Sequence, residues 1–135
     1  MSVSISRLMG MSPELAVRFR ELGIGDTDQL LAAAGTPADR NELADKVGTS
    51  TDVVRELANR ADLCRIRGIA GIFGDLLEHA GVDTVVELAT RNPESLYATV
   101  VQVNEEMALA GRHPYAKEVE NWVAQAKELP RALEY

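Results

Sequence analysis

The sequence predicts an all-α fold made of two helix-hairpin-helix pseudo-repeats that share one core. Apolar residues recur at helical spacing along the chain, and no segment shows clean period-two alternation. Helix start and stop signals follow one another closely. An internal repeat is legible by subtraction. Arg7, Gly10, Phe19, Gly23 and Ile24 pair with Arg65, Gly68, Leu77, Gly81 and Val82, each 58 positions later. Asp26-Thr27 returns as Asp83-Thr84 at an offset of 57, and Thr36-Pro37 as Asn92-Pro93 at 56. Leu57 to Leu63 matches Val123 to Leu129 at 66, so an insertion of about ten residues precedes the last helix of the second copy. The copies span residues 1–64 and 65–135. Each is a set of short helices with little apolar surface to bury alone, which is why a common core is expected.

Ser12-Pro13-Glu14 opens the first long helix with a cap, a proline at the first helical position and an acid near the positive end. Leu15, Ala16, Phe19 and Leu22 form its stripe, and Gly23 ends it. Asp26-Thr27 caps a short helix with Leu30 and Leu31, closed by Gly35. Thr36-Pro37 starts another, with Leu43, Ala44 and Val47 inward and Gly48 at its end. Thr49 to Asp52 begins a longer one carrying Val53, Val54, Leu57, Ala58 and Ala61.

That helix runs into Cys64-Arg65-Ile66-Arg67-Gly68-Ile69-Ala70-Gly71, where glycines alternate with apolar residues between two helices. This is the mark of a helix-hairpin-helix turn. Gly10, Gly23, Gly68 and Gly81 are the structural turn positions. Beyond it, a helix through Phe73 and Leu77 stops near Gly81, and Thr84-Val85-Val86-Glu87 is a capping box. Asn92-Pro93 opens a helix with Leu96, Val100, Val103 and Met107. Gly111 to Pro114 is a break, and the last helix carries Val119, Trp122, Val123 and Ala126.

Arg65-Ile66-Arg67-Gly68-Ile69, Gly81-Val82-Asp83-Thr84 and Asn92-Pro93 together resemble a bacterial family described as domain of unknown function 4332, related to helix-hairpin-helix proteins. The resemblance covers nearly the whole chain and implies the fold. The usual hairpin reads Gly-Ile-Gly, whereas this chain has Ala70 and Ser12 at the third position, which counts against phosphate contact.

Of the residues, 46% are apolar and 4% aromatic, a globular balance rich in small side chains. A single cysteine, Cys64, excludes an internal disulfide. No signal-like apolar stretch stands near Met1, and no run is long enough for a membrane span, so a cytoplasmic protein is expected. The net charge of −7 opposes a polyanion. It divides unevenly, −1 over residues 1–68 and −6 over 69–135, with Arg55, Arg60, Arg65 and Arg67 grouped near the second hairpin.

A hairpin of this kind can hold phosphate, because its turn offers backbone amides at a helix N-terminus. In copy one, Pro13 lacks the amide and Glu14 repels an anion. The candidate phosphate or nucleic-acid site is therefore Arg65, Arg67, Gly68, Ile69, Ala70 and Gly71. The competing reading is that these glycines only allow tight turning and close helix packing. Gly68, Gly71 and Gly74 lack the preceding strand of a nucleotide loop. His79 and His113 lack partners at metal spacing, and Cys64 lacks a catalytic His or Asn nearby in sequence. No enzyme, no metal and no cofactor are expected. Two functions stay open: a protein-interaction adaptor whose acidic half faces a basic partner, and weak, sequence-independent binding of nucleic-acid backbone.

Overall fold

The fold, taken from a computed structural model, describes residues 2–69 and 71–135. Among the described residues it is all-helical, with one isolated antiparallel bridge between Ser4 and Asp26. A 3-10 turn over Ile5–Arg7 precedes eight α-helices. The chain divides into two compact units. The first comprises Met1–Arg65 together with Arg131–Tyr135, and the second Ile66–Pro130.

The first unit contains α1 (Pro13–Glu21), α2 (Thr27–Ala33), α3 (Pro37–Val47) and α4 (Thr51–Leu63). Each starts on a side chain that accepts an orphan amide: Ser12 from Leu15, Asp26 from Gln29, Thr36 from Asp39 and Ser50 from Val53. α4 packs on α2 and α3, and α3 also on α1. Ile5, Phe19, Leu30, Val54 and Leu57 are fully or almost fully buried in its core. The five C-terminal residues belong here as well, unlike the division at 64/65 expected from the repeat. The reason is physical: Leu133 sits in this core, and Glu134 donates its amide to the Gly35 carbonyl at 2.8 Å.

The second unit contains α5 (Ile72–His79), α6 (Val85–Ala89), α7 (Pro93–Met107) and α8 (Ala116–Glu128). α8 packs on α6 and α7, and α5 on α7. Ile66, Ile69, Leu76, Leu77, Val82, Leu88, Leu96, Val100, Val119 and Trp122 are buried. Thr84 caps α6 through the Glu87 amide, but the return bond from the Glu87 carboxylate goes to the Asp83 amide, one residue earlier than a capping box requires. On α7 the inward stripe is Leu96, Val100 and Asn104, while Met107 is exposed. Asn104 exchanges two hydrogen bonds with the backbone of Ala110 and so folds the 108–115 loop back onto the helix.

Positions 58 apart share more than residue type. α1 and α5 end alike: Gly23 and Gly81 adopt φ of +84° and +89°. Ile24 donates to Phe19 O at 3.0 Å and Val82 to Leu77 O at 2.8 Å, with the preceding glycine amide bonded to Arg20 O and Glu78 O. This is a Schellman termination, which needs a left-handed residue followed by an apolar one that folds back on the helix. Gly23→Ala and Gly81→Ala should each cost about 1 kcal/mol for that reason. Gly111 has neither positive φ nor a close neighbour, so Gly111→Ala should stay within about 0.5 kcal/mol of wild type. Urea denaturation of the three variants checks the contrast.

Candidate functional site

The segment expected to form the second hairpin joins the end of α4 to the start of α5. Arg65 is turned inward. Its Nη1 meets Asp62 Oδ1 at 2.8 Å, with the arginine side chain 14% exposed and the aspartate 3%. A pair this sheltered ties down the end of α4, because removing one member would strand the other's charge away from water. Arg65 therefore has a structural job at the site for which its sequence position suggested phosphate. Arg67 is exposed. Its backbone is held by Gln125 on α8: the Arg67 amide donates to Oε1 at 2.9 Å and the Arg67 carbonyl accepts from Nε2 at 3.1 Å. The same Nε2 lies 2.6 Å from Asn121 Oδ1. Gln125 is thus a turn residue that sequence reading missed. Its only local signal was a polar residue next to a buried stripe.

Gly68 has φ of +98°, and a Cβ there would stand 3.1 Å from Trp122 Nε1. The tryptophan, 2% exposed, is the wall against which the turn is pressed. Ile69 is completely buried, its amide donating to Ile66 O and its carbonyl accepting from Gly74. Gly71 caps α5 with φ of +82° and ψ of −129°, without a side chain to offer. Ala70 lies outside the described residues. Of the expected group, Arg65 and Ile69 serve packing, while Arg67, Gly68 and Gly71 form the exposed outer edge. Arg55 pairs with Asp52 at 3.4 Å on the surface, where such pairs contribute little.

Next to this edge is an aromatic and cationic stack. Phe73 and Trp122 have ring centroids 5.5 Å apart at 48°. The Arg112 guanidinium lies 5.1 Å from the Phe73 ring and 4.5 Å from that of Tyr115. It also grips Glu118 with two nitrogens, at 2.7 and 3.2 Å. This hydrogen bond is the main reason that the Arg112 pKa is raised and that of Glu118 lowered. The Cys64 thiol is pushed up chiefly by burial, with Arg60 opposing, which leaves it protonated and a poor nucleophile. His79 Nδ1 lies 2.8 Å from the Asp75 carbonyl oxygen, and His113 Nδ1 3.3 Å from Asn104 Nδ2. Among the described residues no cluster of three His, Cys, Asp or Glu could hold a metal ion. No helix there is long and apolar enough to cross a membrane.

The first unit has a concave feature. A recess of about 270 Å³ is lined by Leu22, Ile24, Ala33 and Leu43, with Asp39, Glu42 and Lys46 of α3 at its rim. Leu22, 45% exposed, is the apolar lip. Lys46 pairs with Glu42 at 3.0 Å, but both side chains are more than half exposed, so water and salt screen the pair. Leu22 and Leu43 are expected on inward helical stripes, but nothing local shows that they border a hollow, since the residues that shape it come from three elements.

The chain matches a family model described as "Domain of unknown function (DUF4332)" over residues 9–129. No curated protein and no solved structure matches it.

Two expectations follow from the geometry. Gly68 and Gly10 both have positive φ, but a Cβ at Gly10 would meet only Leu57 Cδ2, at an ordinary 3.9 Å. Gly68→Ala should therefore destabilise more than Gly10→Ala, about 2–3 against 1 kcal/mol, with thermal melts as the measure. The second concerns acid. The carboxyl of Glu118 is held below its ordinary range in the folded chain, so its contribution is complete above that range and is lost as pH falls through the folded value. The Tyr115 amide donates to Glu118 Oε1 at 2.8 Å. Its hydrogen-exchange protection should drop on acidification below the usual glutamate range, and Glu118→Gln should lack that drop.

Proposed function

The chain belongs to the DUF4332 family, whose function is unknown, and we propose that it is a non-catalytic adaptor made of two helix-hairpin-helix repeats that binds a basic protein segment. The observation that carries this reading is the recess of the first unit. Four apolar residues line it, an exposed leucine among them, and the carboxylates of Asp39 and Glu42 outnumber the one lysine, Lys46, on its α3 side. Such a hollow takes one or two apolar side chains and favours lysine or arginine beside them, the pattern of a helix laid in a groove. The overall charge of −7 would steer the same partner. The repeat reading is supported by the matching terminations at Gly23 and Gly81 and the positive φ at both Gly10 and Gly68. A cytoplasmic setting suits a lone buried thiol.

Weak binding of nucleic-acid backbone is the second reading. One observation favours it: α5 begins on Gly71 with no side chain taking its first amides, of which that of Gly74 is already bonded to Ile69 O, and Arg67 beside it is exposed. Arg65 is engaged with Asp62, so Arg67→Glu, rather than a change at Arg65, is the clean probe of that reading.

The test uses fluorescence anisotropy with a labelled amphipathic Leu/Lys helix and, separately, a labelled DNA duplex at about 50 mM salt. The adaptor reading expects the peptide to bind and the double variant Asp39→Lys/Glu42→Lys to weaken it by roughly tenfold or more. Leu22→Ser should weaken it as well. Duplex binding that vanishes with Arg67→Glu, with no peptide binding, would reverse the order of the two readings.

A further inference from the structure

The segment after Pro130 lies outside any helix and occupies a shaped seat on the first unit. Leu133, 3% exposed, fills an apolar socket in the core. Glu134 donates to Gly35 O at 2.8 Å, and its own carbonyl accepts from Arg40 Nη2 at 2.6 Å. Arg40 Nη1 donates to Ala34 O at 2.8 Å. The same guanidinium lies 4.9 Å from the centre of the Tyr135 ring, whose hydroxyl bonds to the Asn59 side chain. Backbone pairing, one apolar socket, a cation that reads a carbonyl and an aromatic clip are what an extended peptide needs from a receptor.

We propose that this seat exchanges its tail between two copies of the chain, so that residues 131–135 of one copy can fill the seat of another. Arg40 is only 3% exposed, and its hydrogen-bond acceptors among the described residues are the two carbonyls, one of them on the tail. When the tail leaves, a buried cation loses an acceptor and the Leu133 socket opens. Both are unfavourable, so the seat is refilled by the nearest matching segment. The segment known to match is this chain's own, and every other copy carries it.

The tail can also leave as a unit. α8 has ended at Glu128, Leu129 is extended with φ of −90° and ψ of 138°, and Pro130 has no amide to donate. No helical bond is broken when the segment swings out. Its own tail serves the seat at an effective concentration of about millimolar, so exchange becomes prominent when copies are crowded or when one copy's tail is impaired. A reciprocal swap closes into a two-fold dimer.

Complementation tests this directly with full-length chains. Leu133→Ser spoils the tail and leaves the seat. Arg40→Met spoils the seat and leaves the tail. Each variant is labelled with one member of a fluorescence energy-transfer pair, and its helicity is checked by circular dichroism. The mixture should show transfer at concentrations roughly tenfold below those at which either variant, or wild type, associates with itself. Absence of transfer between two folded variants overturns the proposal. So does transfer that persists when Glu134→Pro is added to the Arg40→Met chain, since the association would then not run through the tail. If Leu133→Ser does not fold, Glu134→Pro, which removes the amide bonded to Gly35, takes its place. If Arg40→Met does not fold, a labelled peptide of residues 129–135 takes its role, with binding to the impaired-tail chain expected and its absence overturning the idea.

Discussion

A helix leaves its first four amides and last four carbonyls without partners, so in short helices the ends are most of the structure. Here the helices run from five residues in α6 to fifteen in α7. None is long enough to be stable from propensity alone. What makes them helices is that six of the eight start on a side chain that takes an orphan amide, from Ser12 to Asn92. Two of the rest use other means: α8 folds Glu118 back onto the Tyr115 amide, and α5 starts on a glycine. Packing then has to bury a stripe only a few residues long on each. Alanines such as Ala16, Ala58 and Ala61, which let helices approach closely, are buried among the larger leucines, isoleucines and valines.

Close packing of short helices leaves gaps at the junctions, and long polar side chains fill them. Arg40 reaches from α3 to Ala34 O at the end of α2 and to Glu134 O of the tail, satisfying a helix C-terminus and fixing the tail with one group. Gln125 does the same for the turn at Arg67, and Asn104 for the loop at Ala110. Arg18 donates to Val47 O at the end of α3. Each takes over carbonyls or amides that no helix can satisfy. Arg40 and Asn104 are buried, and a buried polar group stabilises only when its partners are all present, so these two also make the local arrangement specific.

That division explains what could be read in advance. Caps and glycine terminations are local: the residue that does the work lies within four positions of the group it serves. Ser12, Thr36, Gly23 and Gly81 are therefore legible, and the offset of 58 pairs the termination at Gly81 with that at Gly23. The bonds of Arg40 and Gln125 span 94 and 58 positions, and nothing near either residue announces its partner. The candidate site suffered for the same reason. Arg65 looked like a cation beside an anion-binding turn, but Asp62 is three residues earlier and takes it inward. Counting arginines near the hairpin measured how much positive charge was present and not how much of it faced outward.

The turns at Gly10 and Gly68 share a positive φ but present different surfaces. α1 starts three residues after the first glycine and α5 four after the second. After Gly10, Ser12 caps α1, Pro13 removes an amide and Glu14 adds a negative charge. After Gly68, Gly71 starts α5 with no side-chain cap, and the first acid is Asp75, itself buried. The glycines dictate the turn, and the three or four residues after them decide whether its amides are spent or presented. A positive φ at both turns is thus a statement about chain geometry. Which turn can meet a ligand depends on neighbours that the geometry leaves free to vary.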